Sequence, residues 1–232
     1  MRPIPYKTAL IIGAGPGISA SVARAFAAEG IKIGLSSRNT DKLEPLASDI
    51  GAYRFAADAT DPASVATLFD AAEAELGPVD IVLYNAVARV AGPLADLDAA
   101  DVERVIKTST FAAFLVVQQA ARRMVPRKSG AILLTGASAS VKGYPRSAPF
   151  AMGMFGRRGL AESAARELHP QGIHVAHFVI DGAVRGTYRE DPDRPDSLLD
   201  PDAIAQSYVD VLRQPRNAWS WEIALRPWSE NF

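Results

Sequence analysis

Apolar residues recur along this chain in two alternating patterns, short continuous runs and longer stretches at helical spacing. Residues 8–12 (TALII) are a run of strand length; the glycine-rich turn 13–17 follows, and then residues 18–29 carry apolar positions at the period of a helix. Gly30 stops that helix, and residues 31–35 form a second apolar run. Asp61-Pro62 reads as an N-cap with proline at the first helical position, opening a helix to about Leu76. Gly77-Pro78 then leads into the buried-strand run 81–84. The rhythm continues through a long apolar helix over about 102–124, a strand at 131–135, a helix over about 150–168 and a strand at 174–180. Asp200-Pro201 repeats the cap signal for a helix to about Arg213, and 219–225 reads as a last strand.

Strands that are apolar on both sides and alternate with helices call for an α/β fold with a parallel sheet covered on both faces. A length of 232 residues fits one such domain spanning 1–232, with enough burial for a core that needs no staples. Residues 185–200 break the rhythm: they are polar, contain Pro192 and Pro195, have no apolar period, and read as a mobile, lid-like loop shaping a substrate pocket.

With 25 Lys+Arg against 26 Asp+Glu the net charge is −1, so the excess of cations that nucleic acid or an anionic membrane surface requires is missing. No run approaches the roughly 20 apolar residues of a membrane helix, and residues 1–12 lack a signal-peptide pattern. The absence of cysteine excludes disulfides, thiolate nucleophiles and cysteine-type zinc sites. A cytoplasmic protein with a small-molecule substrate, and no metal site, is the expectation.

Chemistry is expected where strands end, because open α/β sheets bind ligands at the carboxyl ends of their strands. The turn holding Gly13, Gly15 and Gly17, with Ile18 opening the helix, lets backbone N–H groups face a pyrophosphate. It departs from the Gly-x-Gly-x-x-Gly fingerprint, and a tight strand-to-helix turn is the competing reading. After the second strand, Ser37-Arg38 stands where an acidic residue would bind a free ribose 2′-hydroxyl. A guanidinium there suits a 2′-phosphate, which favours NADP(H) over NAD(H); a solvated surface arginine is the alternative. Asp58, after the third strand, has two readings, an acceptor for an adenine amino group or a turn residue beside Asp61. Asn85, after the fourth, places an amide near a cofactor or simply closes a turn.

Taken together these residues resemble the short-chain dehydrogenase/reductase family, and the resemblance runs through essentially the whole chain. Gly13-Ala14-Gly15-Pro16-Gly17-Ile18-Ser19 is similar to that family's Gly-x-x-x-Gly-x-Gly turn, with Ser19 for the last glycine. Asp58 matches its adenine-contacting aspartate, and Asn85-Ala86 matches its Asn-Ala-Gly element, with Val87 for the glycine. Gly172-Ile173-His174-Val175 resembles the lead into the sixth strand, and Asp181-Gly182 stands where the family usually has Pro-Gly. The resemblance implies a Rossmann-type doubly wound sheet of about seven parallel strands and a homodimer or homotetramer. It also implies hydride transfer between a nicotinamide and a carbonyl or alcohol carbon. Helices beginning near Val102 and Phe150 resemble those that pair across the family's dimer interface, and Phe111, Phe114, Phe155 and Leu160 would supply apolar contacts unless they face their own sheet.

At the catalytic end the chain departs from that pattern. The family's tyrosine acts as proton donor or acceptor, and a lysine at i+4 on the same helix face lowers its pKa. Here Phe150 occupies the tyrosine position and Met154 the lysine position. No alternative alignment restores the pair, because the last lysine in the chain is Lys142. The family's asparagine falls at Ser109, and its serine counts to Ala137, with Ser138 favoured as the hydroxyl that enters the site. A serine bonding its own backbone is an equal reading for Ser138, and His177 reads as a buried structural imidazole. Losing a general acid typically costs about 10²- to 10⁴-fold, so two readings remain. One is an NADP(H)-dependent oxidoreductase of divergent mechanism, with water, Ser138 or Tyr144 as donor; the other is a non-catalytic NADP(H)-binding sensor or partner subunit.

Overall fold

The strands foreseen from the apolar runs are present in the computed structural model, which describes residues 2–186 and 189–229. In chain order the main elements are β1 (Thr8–Ile12), α1 (Ile18–Ala28), β2 (Lys32–Ser37), α2 (Glu44–Ile50), β3 (Tyr53–Ala56), α3 (Pro62–Leu76) and β4 (Ile81–Tyr84). There follow α4 (Ala99–Ile106), α5 (Ala112–Met124), β5 (Gly130–Thr135), α6 (Ala148–Leu168), β6 (Ile173–Ile180), α7 (Pro201–Leu212) and β7 (Glu222–Leu225). They build one seven-stranded sheet, ordered β3-β2-β1-β4-β5-β6-β7, in which every neighbouring pair is parallel. This is the Rossmann-like doubly wound architecture.

Alternation along β1 explains why both faces are covered. Ala9 and Ile11 join a core with α1, α2 and α7 through Phe26, Leu46 and Tyr208, whereas Leu10 and Ile12 join a second core with α3, α5 and α6. The four central strands are buried along their full length, which is why they read as unbroken apolar runs rather than as alternating ones. Fully burying each Leu, Ile or Phe contributes about 1.5–3 kcal/mol, so two such layers suffice for a chain without cross-links.

Local signals fix the helix starts. The Asp61 carboxylate accepts from the Ser64 N–H at 2.8 Å with Pro62 at the first helical position, and Asp200 does the same for the Asp202 N–H at 2.9 Å ahead of Pro201. The single helix expected over 102–124 is instead two α-helical pieces joined by a π turn at Lys107–Phe111. That turn inserts an extra residue per turn where the helix passes α6, and it re-aims the Ser109 carbonyl. Among the described residues no helix is long and apolar enough to cross a membrane.

The polar segment 185–200 is not loose chain in its described part. Val184 bridges Leu199, Gly186 bridges Arg189, and Arg185 pairs with Asp200 at 2.6 Å, so its base is closed on itself. Polar residues bonding within the segment leave no apolar period to read.

Candidate active site

The chain order reverses between β1 and β4, since β1 leads outward to β2 on one side while β4 continues on the other. Two adjoining recesses open there, at the carboxyl ends of the strands, where such sheets bind ligands. One, of about 360 Å³, is lined by Gly13, Ser36, Ser37, Arg38, Asp58 and Asn85 among others. The other, of about 590 Å³, runs from Gly17 and Ile18 past Thr135–Ala137 to Phe150, Met154 and Arg185. Asn85 and Val87 border both.

The glycine turn holds the first wall. The N–H groups of Gly13 and Ala14 both donate to the Ser36 carbonyl at 3.0 Å, tying the turn to the end of β2. Gly13 has φ +78°, and a Cβ on it would lie 2.3 Å from the Ala86 nitrogen, so the turn also packs on the chain leaving β4. Gly17 has φ +81°, and a Cβ there or on Gly15 would meet nothing within 4 Å. That open space faces an α1 terminus with no side-chain cap and no acidic residue in its first turn. Uncapped first-turn N–H groups carry the positive end of the helix dipole and suit an anion. Asn85 Nδ2 donates to Ser19 Oγ at 2.6 Å, and that hydroxyl donates to the Gly13 carbonyl at 3.2 Å. Asn85 therefore both borders the recesses and braces the turn.

At the far end Arg38 is exposed and borders the recess together with Ser37 and Asp58. The Ser37 hydroxyl is turned back to the Asn39 carbonyl at 2.6 Å, leaving its backbone to face the recess. Asp58 combines both of its sequence readings. Its Oδ1 accepts from the Thr60 N–H at 2.9 Å and the Thr60 hydroxyl at 2.8 Å, closing a turn, while the residue lines the recess. Those two bonds, with lesser help from the Arg38 and Lys107 charges, hold its carboxyl below the usual range. The Ser36 hydroxyl is buried without a hydrogen-bond partner at the same end.

The larger recess is walled by apolar groups at the two positions in question. The guanidinium of Arg89 lies 4.9 Å over the Phe150 ring, and Met154 is buried one turn further along α6. Ser109 is brought to α6 but not to the recess: it packs on Gly153, its hydroxyl is buried without a partner, and its carbonyl faces Arg157. Ser138 is not among the described residues that line the recess. Extended backbone carries Thr135, Gly136 and Ala137 along the wall, and the chain then coils into the 3₁₀ turn Ser138–Ser140 that swings Ser138 aside. Tyr144 is exposed beneath the Lys142 ammonium, outside the lining.

His177 is the structural imidazole expected. Its Nδ1–H donates to the Glu222 carboxylate at 3.1 Å, Ser140 Oγ lies 3.4 Å from Nε2, and Ser140 accepts from the Ala137 N–H at 3.1 Å. Burial pushes its pKa down to about 4 in spite of the opposing Glu222 contact, so it is neutral and braces the Ala137 wall.

The residue that sequence reasoning missed is Arg157. It is 1% exposed, borders the larger recess, and reaches the carbonyls of Ser109, Thr135 and Ala86 from the π turn, β5 and the chain after β4. Its guanidinium also lies 4.8 Å over the Tyr84 ring. Burial lowers its pKa to about 10, which leaves it a full cation at neutral pH. A signal was there to be read, since Met154, Arg157, Ala161, Ala165 and Leu168 recur at helical spacing on one buried face. An arginine in that stripe is a buried arginine.

The pattern of the short chain dehydrogenase family matches residues 7–194. The chain belongs to that family. It is 33% identical over 175 residues to a D-threitol dehydrogenase of Mycolicibacterium smegmatis, covering 73% of this chain and 67% of that one. A short-chain dehydrogenase crystal structure from Rhodopseudomonas palustris, 34% identical, superposes with a TM-score of 0.83 over 96% of this chain and 99% of the other. A metagenomic short-chain oxidoreductase solved in complex with NADP, 25% identical, gives 0.84 over 95% and 97%. Members of this oxidoreductase family bind nicotinamide cofactors. The open glycine cradle, the uncapped α1 terminus and the unpartnered Ser36 hydroxyl fit such a cofactor.

Proposed function

We propose that this protein is an NADP(H)-dependent oxidoreductase that acts on a small carbonyl or alcohol substrate without the family's tyrosine and lysine, whose positions Phe150 and Met154 occupy. The observation that carries the cofactor part is an uncapped α1 terminus bordering one of two adjoining recesses and the Arg38 guanidinium bordering the other. The α1 terminus and the Gly13–Gly17 cradle would hold the pyrophosphate, Asp58 and Ser37 would border the adenosine, and Arg38 would take the 2′-phosphate. When bound, the cofactor supplies or accepts the hydride.

The chain's own contribution is positional and electrostatic. Phe150, Met154, Val184 and Ile180 make an apolar wall that excludes water from one side of the larger recess, while Arg157 gives that recess a permanent charge. Among the described residues no carboxylate, imidazole or phenol lines it, and the Thr135 hydroxyl is engaged with the Tyr208 hydroxyl at 2.8 Å. The Tyr84 hydroxyl is turned away, donating to the Thr108 carbonyl at 2.5 Å. In this reading water supplies the proton that accompanies hydride transfer, and positioning supplies the acceleration that remains. The lid, 185–200, closes the substrate side through Val184, Arg185 and Arg189.

Titrating the purified protein with NADPH and NADH by fluorescence, and then adding a panel of carbonyl compounds, tests the reading. Tight NADPH binding followed by its oxidation is the expected result. Binding with no turnover on any compound would return the protein to a non-catalytic NADP(H)-binding role, and failure of both nucleotides to bind would overturn the assignment of the recess.

A second copy of the chain is the proposed partner. Phe111 and Phe114 stack with ring centroids 6.3 Å apart and stay 42% exposed each, beside Phe155 at 46% and Met152 at 53%; Leu160 instead packs on its own core. Exposed aromatic clusters of this kind mark association surfaces. Phe114→Lys with Phe155→Lys is expected to convert a homodimer or homotetramer to smaller species by light scattering at micromolar concentration. A monomeric wild type would exclude the proposal.

A further inference from the structure

Arg157 is held in an unusual way for a buried cation. Its Nε–H donates to the Ser109 carbonyl at 2.8 Å, Nη1–H to Thr135 at 2.6 Å and Nη2–H to Ala86 at 2.5 Å, and no carboxylate pairs with it among the described residues. Neutral carbonyls orient a guanidinium but do not cancel its charge, and of its five N–H donors two have no partner among these three contacts. The neighbouring phenols of Tyr84 and Tyr208 are both pushed up by burial, so neither is an anion. Among the described residues no Asp or Glu borders the recess that Arg157 lines, and Arg185, which also borders it, is already paired with Asp200. An isolated cation buried without a counter-ion is costly to fold around, and three carbonyls drawn from three separate segments are a large commitment to keeping it there.

We propose that Arg157 is a fixed positive charge at the nicotinamide end of the site, and that it makes the protein hold the reduced, uncharged nicotinamide more tightly than the oxidised, cationic one. The proposal rests on the dinucleotide reading above. The two forms of the cofactor share every phosphate and ribose group, so the ratio of their dissociation constants isolates the charge on the ring. A unit charge several ångströms from another, at an effective dielectric near 20, changes such a ratio by about tenfold or more. The same charge would stabilise negative charge gathering on a carbonyl oxygen as hydride arrives, which suits a protein that works as a reductase.

A clamp that merely joins three segments would behave differently. Loosening it would weaken both forms of the cofactor together and leave their ratio unchanged.

The test is calorimetric titration of NADPH and NADP⁺ against the wild type, Arg157→Lys and Arg157→Gln, each first checked for native circular dichroism. The wild type is expected to hold NADPH at least about tenfold more tightly than NADP⁺, Arg157→Lys to keep most of that preference, and Arg157→Gln to bring the ratio close to one. Equal affinities in the wild type, or an unchanged ratio in Arg157→Gln, would overturn the proposal while leaving the dinucleotide site intact. Binding of neither form by the wild type would overturn the dinucleotide reading and this inference with it. Should Arg157→Gln not fold, Arg185→Gln with Arg189→Gln, which keeps Arg157 and removes the other two cations bordering the recess, must retain the preference; its loss there would assign the effect to the lid.

Discussion

Arg38→Asp is expected to weaken NADPH binding by about a hundredfold or more while leaving NADH within a few-fold of the wild type. Arg38 stands exposed at the end of β2, makes no ion pair among the described residues, and borders both the adenosine-side recess and a smaller one of about 290 Å³ shared with Lys107 and Asp58. Hydrogen bonds from a guanidinium to an anion contribute about 1.5–3 kcal/mol each. The substitution removes them and sets a carboxylate against a phosphate, while a free 2′-hydroxyl can donate to that carboxylate. Because Arg38 packs on nothing that holds the fold, the variant's thermal midpoint should stay near that of the wild type. Paired equilibrium titrations with both nucleotides check this. A parallel loss for NADPH and NADH would remove Arg38 from the 2′-phosphate role.

Stability is expected to fall steadily as pH drops from about 6.5 towards 4, well before most carboxylates protonate. His174 and His177 are 1% and 0% exposed, and burial pushes both down to about 4. His174 donates to the Ser220 carbonyl at 2.9 Å and stacks on Trp219 at 4.6 Å, a packed arrangement that suits the neutral ring. In the unfolded chain each imidazole titrates near 6.5. Above that pH both states are neutral, and these groups contribute no pH dependence. Below it the unfolded state takes up protons that the native state refuses, so the unfolded state gains stability until the native pKa is reached. The loss by pH 4 is on the order of 3 kcal/mol per histidine, a large share of a typical 5–15 kcal/mol total. Urea midpoints at pH 7.5, 6 and 5 measure it directly. A flat profile over that window would show that the two rings titrate normally in the native protein.

The carboxyl ends of the sheet were legible because the signals that make them are local. Continuous apolar runs require strands buried on both faces, Asp-Pro pairs cap helices α3 and α7, and a glycine turn after β1 needs no distant residue to be recognised. The candidate cofactor residues Gly13, Gly17, Ile18, Ser37, Arg38, Asp58 and Asn85 were legible on the same grounds, since each follows a strand and strand ends converge in any sheet of this order.

The catalytic end was legible only in what it lacks. Phe150 and Met154 could be placed at i and i+4 on one helix from spacing alone, and the recess indeed has both in its wall. Spacing counted the family's serine to Ala137, which lines the recess, while Ser138 opens a 3₁₀ turn braced by Ser140 and His177, the latter on a strand 37 residues further along. The π turn at 107–111 left no trace in the apolar period, because one extra residue in a helix is absorbed by packing against α6.

Sequence by itself thus determined the strand and helix alternation and the order of candidate groups at the strand ends, both of which depend on residues within a few positions of one another. Tertiary structure alone decided what holds the Arg157 cation and that it borders the larger recess. Its three carbonyl partners lie 71, 48 and 22 residues before it in the chain, and a charge can be kept out of water only where folding has brought such distant dipoles around it.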